Sequence, residues 1–169
     1  MIKITQTSGD ALTLCEVETY GEKVTISEPQ LIDSDDRQAS QSSTPYNHGD
    51  AARAIDGNTA NVYSQGSCTH TSDGSPQWWK VDLGAIYKVN KVVIYNRMEC
   101  CGDRLDGAQV EAFSGSSLVK ICGKIDYQSG KVSYTIECGD AIADIIKISQ
   151  TSGKPLTLCE VETYGVKVE

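Results

Sequence analysis

An all-β domain, a sandwich or jelly roll of short antiparallel strands, is the fold this sequence predicts, and three observations predict it. Through the middle and end of the chain apolar and polar residues alternate with period two, as in strands with one buried face. Turn formers separate the runs, drawn from fifteen glycines and many Ser/Thr clusters. Helical character is confined to one short stretch. Strands without helices to cover them bury their apolar faces against one another, and an antiparallel sandwich does this while managing its edges.

The elements follow in order. Asp50 precedes "AARAI" (51 to 55) and Gly57 follows it, so a short helix is expected with Asp50 as N-cap and the glycine as its stop. "QWWKVDLG" (77 to 84) puts Trp79, Val81 and Leu83 on one face, and "YKVNKVVIYNR" (87 to 97) is rich in branched residues that suit a pleated surface. "AQVEAFSG" (108 to 115), "KVSYTIEC" (131 to 138) and "IIKISQTS" (145 to 152) continue the same texture. Residues 38 to 49 read as a variable loop, and loops at one end of such a sandwich are where binding residues collect.

The segment "IKITQTSGDALTLCEVETYGEKV" at 2 to 24 returns 144 residues later as "IKISQTSGKPLTLCEVETYGVKV" at 146 to 168. Solenoid repeats have periods of about 20 to 50 residues, so this spacing is that of a whole domain. Residues 1 to 24 are expected to be the closing strands of a preceding domain copy, and 25 to 169 one complete copy, in a slice of a tandem array. The alternative is that both copies are strands of one symmetric sheet.

Composition excludes several function classes. A net charge of −8 and the lack of any Lys/Arg-rich run argue against nucleic acid. No run approaches the roughly 20 apolar residues of a membrane span, so membrane insertion is not expected, and "MIKITQTSGD" has neither the length nor the apolar centre expected of a signal peptide. Seven cysteines with no C-x-x-C pair point to an oxidised, extracellular protein. Six of them, Cys68, Cys100, Cys101, Cys122, Cys138 and Cys159, lie in the complete copy. Cys15 is the counterpart of Cys159 without its partner, which leaves it a free thiol, an intermolecular bridge or a competitor, and makes a homo-oligomer through residues 1 to 24 an expectation.

Two constellations carry candidate chemistry. His70, Arg97 and Arg104 form a fan of hydrogen-bond donors suited to the hydroxyls and ring oxygen of a neutral sugar, or equally to a carboxylate or sulfate. Each arginine alone could instead be a solvated charge or a partner for Glu99, Asp103 or Asp106. In "NRMECCGDR" (96 to 104), Cys100 and Cys101 either pair with separate distant partners or bond to each other across an unusually short Cα separation. In "AIDGNTANVYSQGSC" (54 to 68), Asp56, Asn58 and Ser67 are hard oxygen donors of the kind calcium prefers, with Glu160 available to complete a cage. The competing reading is a plain Asx turn. For catalysis there is no G-x-S-x-G, no H-E-x-x-H and no paired-glutamate pattern, and His70 with Glu99 is a poor substitute.

"GSCTHT", "WWKVDLG", "NRMECCGDR" and "TLCEVETYG", in this order, resemble the F-type lectins, the fucose-binding fucolectins, over residues 25 to 168. The family's His, 26 residues, Arg, any residue, Asp, four residues, Arg or Lys falls on His70, Arg97 and Arg104, with Glu99 in place of the aspartate. The resemblance implies a discoidin-like jelly roll that binds terminal L-fucose on glycans without catalysis. It implies that Cys100 and Cys101 bond to each other and meet the sugar's methyl group, with Tyr63 near the position of a flanking aromatic. It implies bridges from Cys68 to Cys159 and from Cys122 to Cys138. It also implies a structural calcium held by Asp56, Asn58, Ser67, Glu160 and the carbonyls of Arg53 and Cys159. The alternatives are a discoidin-like adhesion module for protein or lipid headgroups, and a fucoside hydrolase, for which two well-placed carboxylates are lacking.

Overall fold

A computed structural model describes residues 3–5, 9, 11, 14–17, 27–45, 48–74 and 76–169. The reading of residues 1 to 24 as closing strands of another domain copy therefore falls largely outside the described residues.

Among the described residues seven strands form one continuous antiparallel sheet: β1 (Gln30–Leu31), β2 (Gln38–Gln41), β3 (Gln77–Tyr95), β4 (Gln109–Ser114), β5 (Ser117–Lys124), β6 (Ser133–Gln150) and β7 (Glu160–Lys167). The order is β1-β7-β3-β6-β4-β5, and β2 joins the remaining length of β3. One edge of β3 is shared, with β2 along Trp79–Asp82 and β7 along Tyr87–Tyr95, while its other edge pairs with β6 along Gln77–Asp82, Tyr87–Val89 and Lys91–Tyr95.

Strands this long bury one face only if the sheet bends, and the bends are visible as changes of parity. In β3 the buried apolar residues are Trp79, Val81, Leu83 and Val89, then Val92 and Ile94. The switch from odd to even coincides with a register shift between Val89 and Lys91. In β6 the buried set runs Tyr134 and Cys138, then Ala141 and Ala143, then Ile146 and Ile148. Its two switches fall opposite the irregularities of β3. An extra residue in one strand kinks it and re-aims its side chains, so each bulge keeps apolar residues pointing into the same core. At one of them Asp140 takes a positive φ of 59°.

Several boundaries differ from the sequence reading. Residues 77 to 84 and 87 to 97 are one strand ending at Tyr95, and the runs at 131 and 145 are both part of β6, because bulges rather than turns interrupt them. Residues 38 to 41 are strand β2, paired to Trp79–Asp82, not loop. Strand β5 escaped the pattern because it is exposed along most of its length, leaving no alternation to detect. The expected helix is a single 3₁₀ turn, Ala51–Ala54, and Asp50 makes no side-chain cap. Its carbonyl instead accepts from Arg53 N, and the turn is pinned by Trp79 Nε1 donating to Ala51 O at 2.9 Å.

Candidate functional site

His70 is placed by its neighbours. Thr69 N and Thr71 N donate to Leu158 O and Leu156 O at 2.7 and 3.1 Å. In return Leu158 N and Leu156 N donate to the hydroxyls of Thr69 and Thr71 at 3.0 and 2.8 Å. This zipper buries both threonines, and alternation along extended chain throws His70 to the opposite side. Its main chain is also held: His70 N donates to Gly49 O at 2.9 Å, and Gln41 Nε2 donates to His70 O at 3.1 Å. Gly49 has a φ of +81°, and a Cβ there would lie 2.7 Å from His70 Cβ, so the approach requires glycine.

The opposite side is the loop from Asn96 to Leu105. Buried Asn96 donates Nδ2 to Gly102 O at 3.1 Å, and buried Gln150 donates Nε2 to the carbonyls of Arg104 and Asp106 at 2.8 Å each. Met98 N donates to Asn61 O at 2.9 Å. Within the loop Cys100 and Cys101 are bonded to each other, with Cys100 exposed and Cys101 at a left-handed φ of 61°. Cys68 is bonded to Cys159, joining the His70 segment to the start of β7, and Cys122 to Cys138; Cys15 is free and exposed.

Between these sides, Arg104 Nη1 lies 3.0 Å from His70 Nε2 and 3.5 Å from Thr157 Oγ1. Guanidinium nitrogens only donate, so Nε2 accepts and the imidazole is neutral with its proton on Nδ1. Burial, then the charges of Arg104 and Arg97, hold the His70 pKa below its ordinary value. Arg97 is fixed by Glu99: its Nε donates to Oε1 at 2.7 Å, and the same oxygen accepts from Tyr63 N at 2.9 Å. Its guanidinium sits 4.7 Å over the Tyr63 ring, which in turn lies 5.6 Å from the His70 ring. The terminal nitrogens of Arg97 bond to no described residue. Glu99 is thus committed to orienting Arg97, which leaves it no role as a partner for His70. Arg104 pairs with none of the carboxylates near it in sequence, and Asp103 is taken by Lys154 Nζ at 2.6 Å.

The second constellation lies near the start of β7. Asp56 Oδ1 accepts from Asn58 N and Asn58 Oδ1 from Ala60 N, two successive Asx turns. Ser67 Oγ donates to Val62 O. Arg53 reaches back to Cys68 O and lies 6.0 Å over the Tyr63 ring. Glu160 is 3% exposed, and its Oε2 is buried with no hydrogen-bond partner. Burial first, then the nearby Asp56 charge, push its carboxyl up to about 7.

A family model described as a NedA-like, galactose-binding domain of the F5/F8 type C class matches residues 53–148. Fucolectin of Anguilla anguilla is 34% identical over 119 residues, covering 67% of this chain and 75% of that protein. The chain belongs to the F-type lectin family. Fucolectin-6 of Anguilla japonica is 36% identical over 118 residues, 69% of this chain and 63% of that protein, so this lectin chain spans a little under two thirds of that relative's length. A fucose-binding module of Streptococcus pneumoniae, SpX-3, superposes with a TM-score of 0.73 at 32% identity over 82% of this chain and 99% of that one. The jelly-roll, discoidin-like fold is the fold of these relatives, which are named as fucolectins and as a fucose-binding module.

Sequence reasoning missed the residues that hold the site: Gln41, Gly49, Asn96 and Gln150. No signal in the sequence marks them: Asn96 and Gln150 are amides at strand ends, and only the structure shows them to be 1% and 2% exposed.

Proposed function

We propose that this lectin chain binds terminal L-fucose on glycans without catalysis, at the surface formed by His70, Arg97, Arg104, Tyr63 and the Cys100–Cys101 pair. The observation that carries it is the Arg104–His70 contact beside an Arg97 whose terminal nitrogens bond to no described residue, with a disulfide exposed on the same loop. The guanidiniums donate to sugar hydroxyls and the ring oxygen, while the two sulfurs and the Tyr63 ring offer the methyl group an apolar wall. L-Galactose differs from L-fucose by one hydroxyl, which that wall leaves unpaired. Calorimetry should show L-fucose bound about tenfold or more tightly than L-galactose, and a Cys100→Ser/Cys101→Ser variant should narrow that ratio. Equal affinity for the two sugars in the natural protein would overturn the proposal. The named binding of the pneumococcal module and the fucolectins supports it, and the disulfides fit a secreted protein.

We further propose that a calcium ion stabilises the fold. The buried, unpartnered Glu160 Oε2 fits a hard cation, and Asp56, Asn58, Ser67 and the carbonyls of Arg53 and Cys159 are the donors that would hold it with Glu160. Calcium should raise the Tm and a chelator lower it, and Glu160→Gln should abolish the difference. A Tm indifferent to both would exclude the ion.

A further inference from the structure

Residues 146–168 fill a demanding slot. Within them Ile146, Ile148, Gln150, Pro155 to Val161, Thr163 and Gly165 are buried. A Cβ at Gly165 would lie 2.5 Å from Lys88 O, so that position accepts only glycine. Cys159 must meet Cys68, and Leu156 and Leu158 must zip to Thr71 and Thr69.

Residues 2–24 meet every one of these requirements but one. Of the twenty-three paired positions four differ: Thr5 for Ser149, Asp10 for Lys154, Ala11 for Pro155 and Glu22 for Val166. Only Pro155 among these four counterparts is buried. Gly21 stands for Gly165, Cys15 for Cys159, and Leu12 and Leu14 for the zipper leucines. Ile4, Leu14 and Val17 are 45%, 52% and 50% exposed, whereas their counterparts Ile148, Leu158 and Val161 are at most 1% exposed. Covering apolar surface of this kind is favourable. The connection also fits. Strand β1 pairs Gln30 with Gly165, so Gly21 in that place leaves an eight-residue antiparallel connection, 22 to 29, within the same chain.

We propose that residues 2–24 are a second occupant of this slot and dock there in their own chain by strand replacement, the Cys68 disulfide passing from Cys159 to Cys15. The step is thiol–disulfide exchange: the Cys15 thiolate attacks Cys68 Sγ, the Cys15–Cys68 bond forms, the Cys68–Cys159 bond breaks, and Cys159 leaves as the thiolate that takes up a proton. No external oxidant is consumed. The resident segment keeps two advantages. It is continuous with the first half of β6, and its Lys154 pairs with Asp103, where the replacement would bring Asp10 against the same carboxylate. The exchanged form is therefore the minor one.

The test is disulfide mapping of the full chain in a glutathione redox buffer. In Cys159→Ser, oxidation of Cys15 and Cys68 by glutathione disulfide should give a Cys15–Cys68 bridge as the main product in the monomer. Cys15 and Cys68 recovered as free thiols or glutathione adducts, or bridged only between chains, would overturn the proposal. Because that variant forfeits a native bridge, a second measurement keeps the natural cysteines. In Asp10→Lys/Ala11→Pro, reduced and refolded in the same buffer, the Cys15–Cys68 fraction should rise about twofold to fivefold over the unsubstituted chain. A Cys68–Cys159 bridge alone in both proteins would refute it equally.

Discussion

His70 and Arg97 sit on opposite sides of one site and are held there by different kinds of contact. The His70 side is a zipper: two threonines bond reciprocally to Leu156 and Leu158 through their main-chain N–H groups and their hydroxyls, and a disulfide locks the preceding residue, Cys68, to Cys159 beside β7. The Arg97 side is a loop whose position depends on single side chains, above all the amides of Asn96 and Gln150 and the carboxylate of Glu99. The zipper spreads its hold over four bonds, two of them between main-chain groups that any residue supplies. A loop pinned by amides concentrates it in a few atoms that only those side chains supply. Sequence change should therefore be tolerated unevenly across the two sides.

The largest effect is expected where the sides meet. Arg104 touches His70 while its carbonyl is held by Gln150. Arg104→Ala removes a charged donor and leaves His70 Nε2 without its partner. Calorimetry should show L-fucose affinity reduced roughly ten- to hundredfold, the scale of a lost hydrogen bond to a charged group. Affinity unchanged in a folded variant would show that the two sides act separately.

A pair of substitutions sharpens the contrast. Asn96→Ala leaves Gly102 O without its donor beneath the disulfide loop, and Thr69→Val leaves Leu158 N without its acceptor in the zipper. Each strands a buried or half-buried polar group and should cost about 1–3 kcal/mol of stability by denaturant unfolding. Their effects on L-fucose affinity should differ. Asn96→Ala frees the loop and weakens binding several-fold, whereas Thr69→Val leaves the reciprocal Thr69 N–Leu158 O bond in place and binding nearly unchanged. Equal losses of affinity would mean that both sides are held alike.

The same contrast explains what the sequence disclosed. Period-two runs disclosed the strands around Trp79, Val92, Ile146 and Ile148, because one face of each is buried. They could not disclose that 77 to 95 is one strand, since a bulge changes parity and reads as a break. His70, Arg97 and Arg104 were legible as rare donors at a recognisable spacing. Gln41, Asn96 and Gln150 were not, because a polar residue at a strand end looks solvent-facing until the loop that covers it is known. Gly49 looked like any turn glycine until His70 was found against it.

The smallest expected effect tests the protonation state that joins the sides. His70 accepts from Arg104 only when neutral, and burial with Arg104 and Arg97 lowers its pKa despite the opposing charge of Asp73. The unfolded chain takes up this proton as pH falls through about 6.5, and the folded chain does so only at lower pH. Between those values the unfolded state binds more protons, so the His70 contribution to stability is full above about 6.5 and declines as pH falls below it. Affinity should be flat at neutral pH and fall only at the lower pH where the folded imidazole takes up its proton and the imidazolium repels Arg104. The measurement is the difference in Tm between the natural protein and His70→Asn across pH 5 to 8, which subtracts the other titrating groups. A difference that stays constant across that range would mean that His70 is not the neutral acceptor between the two arginines.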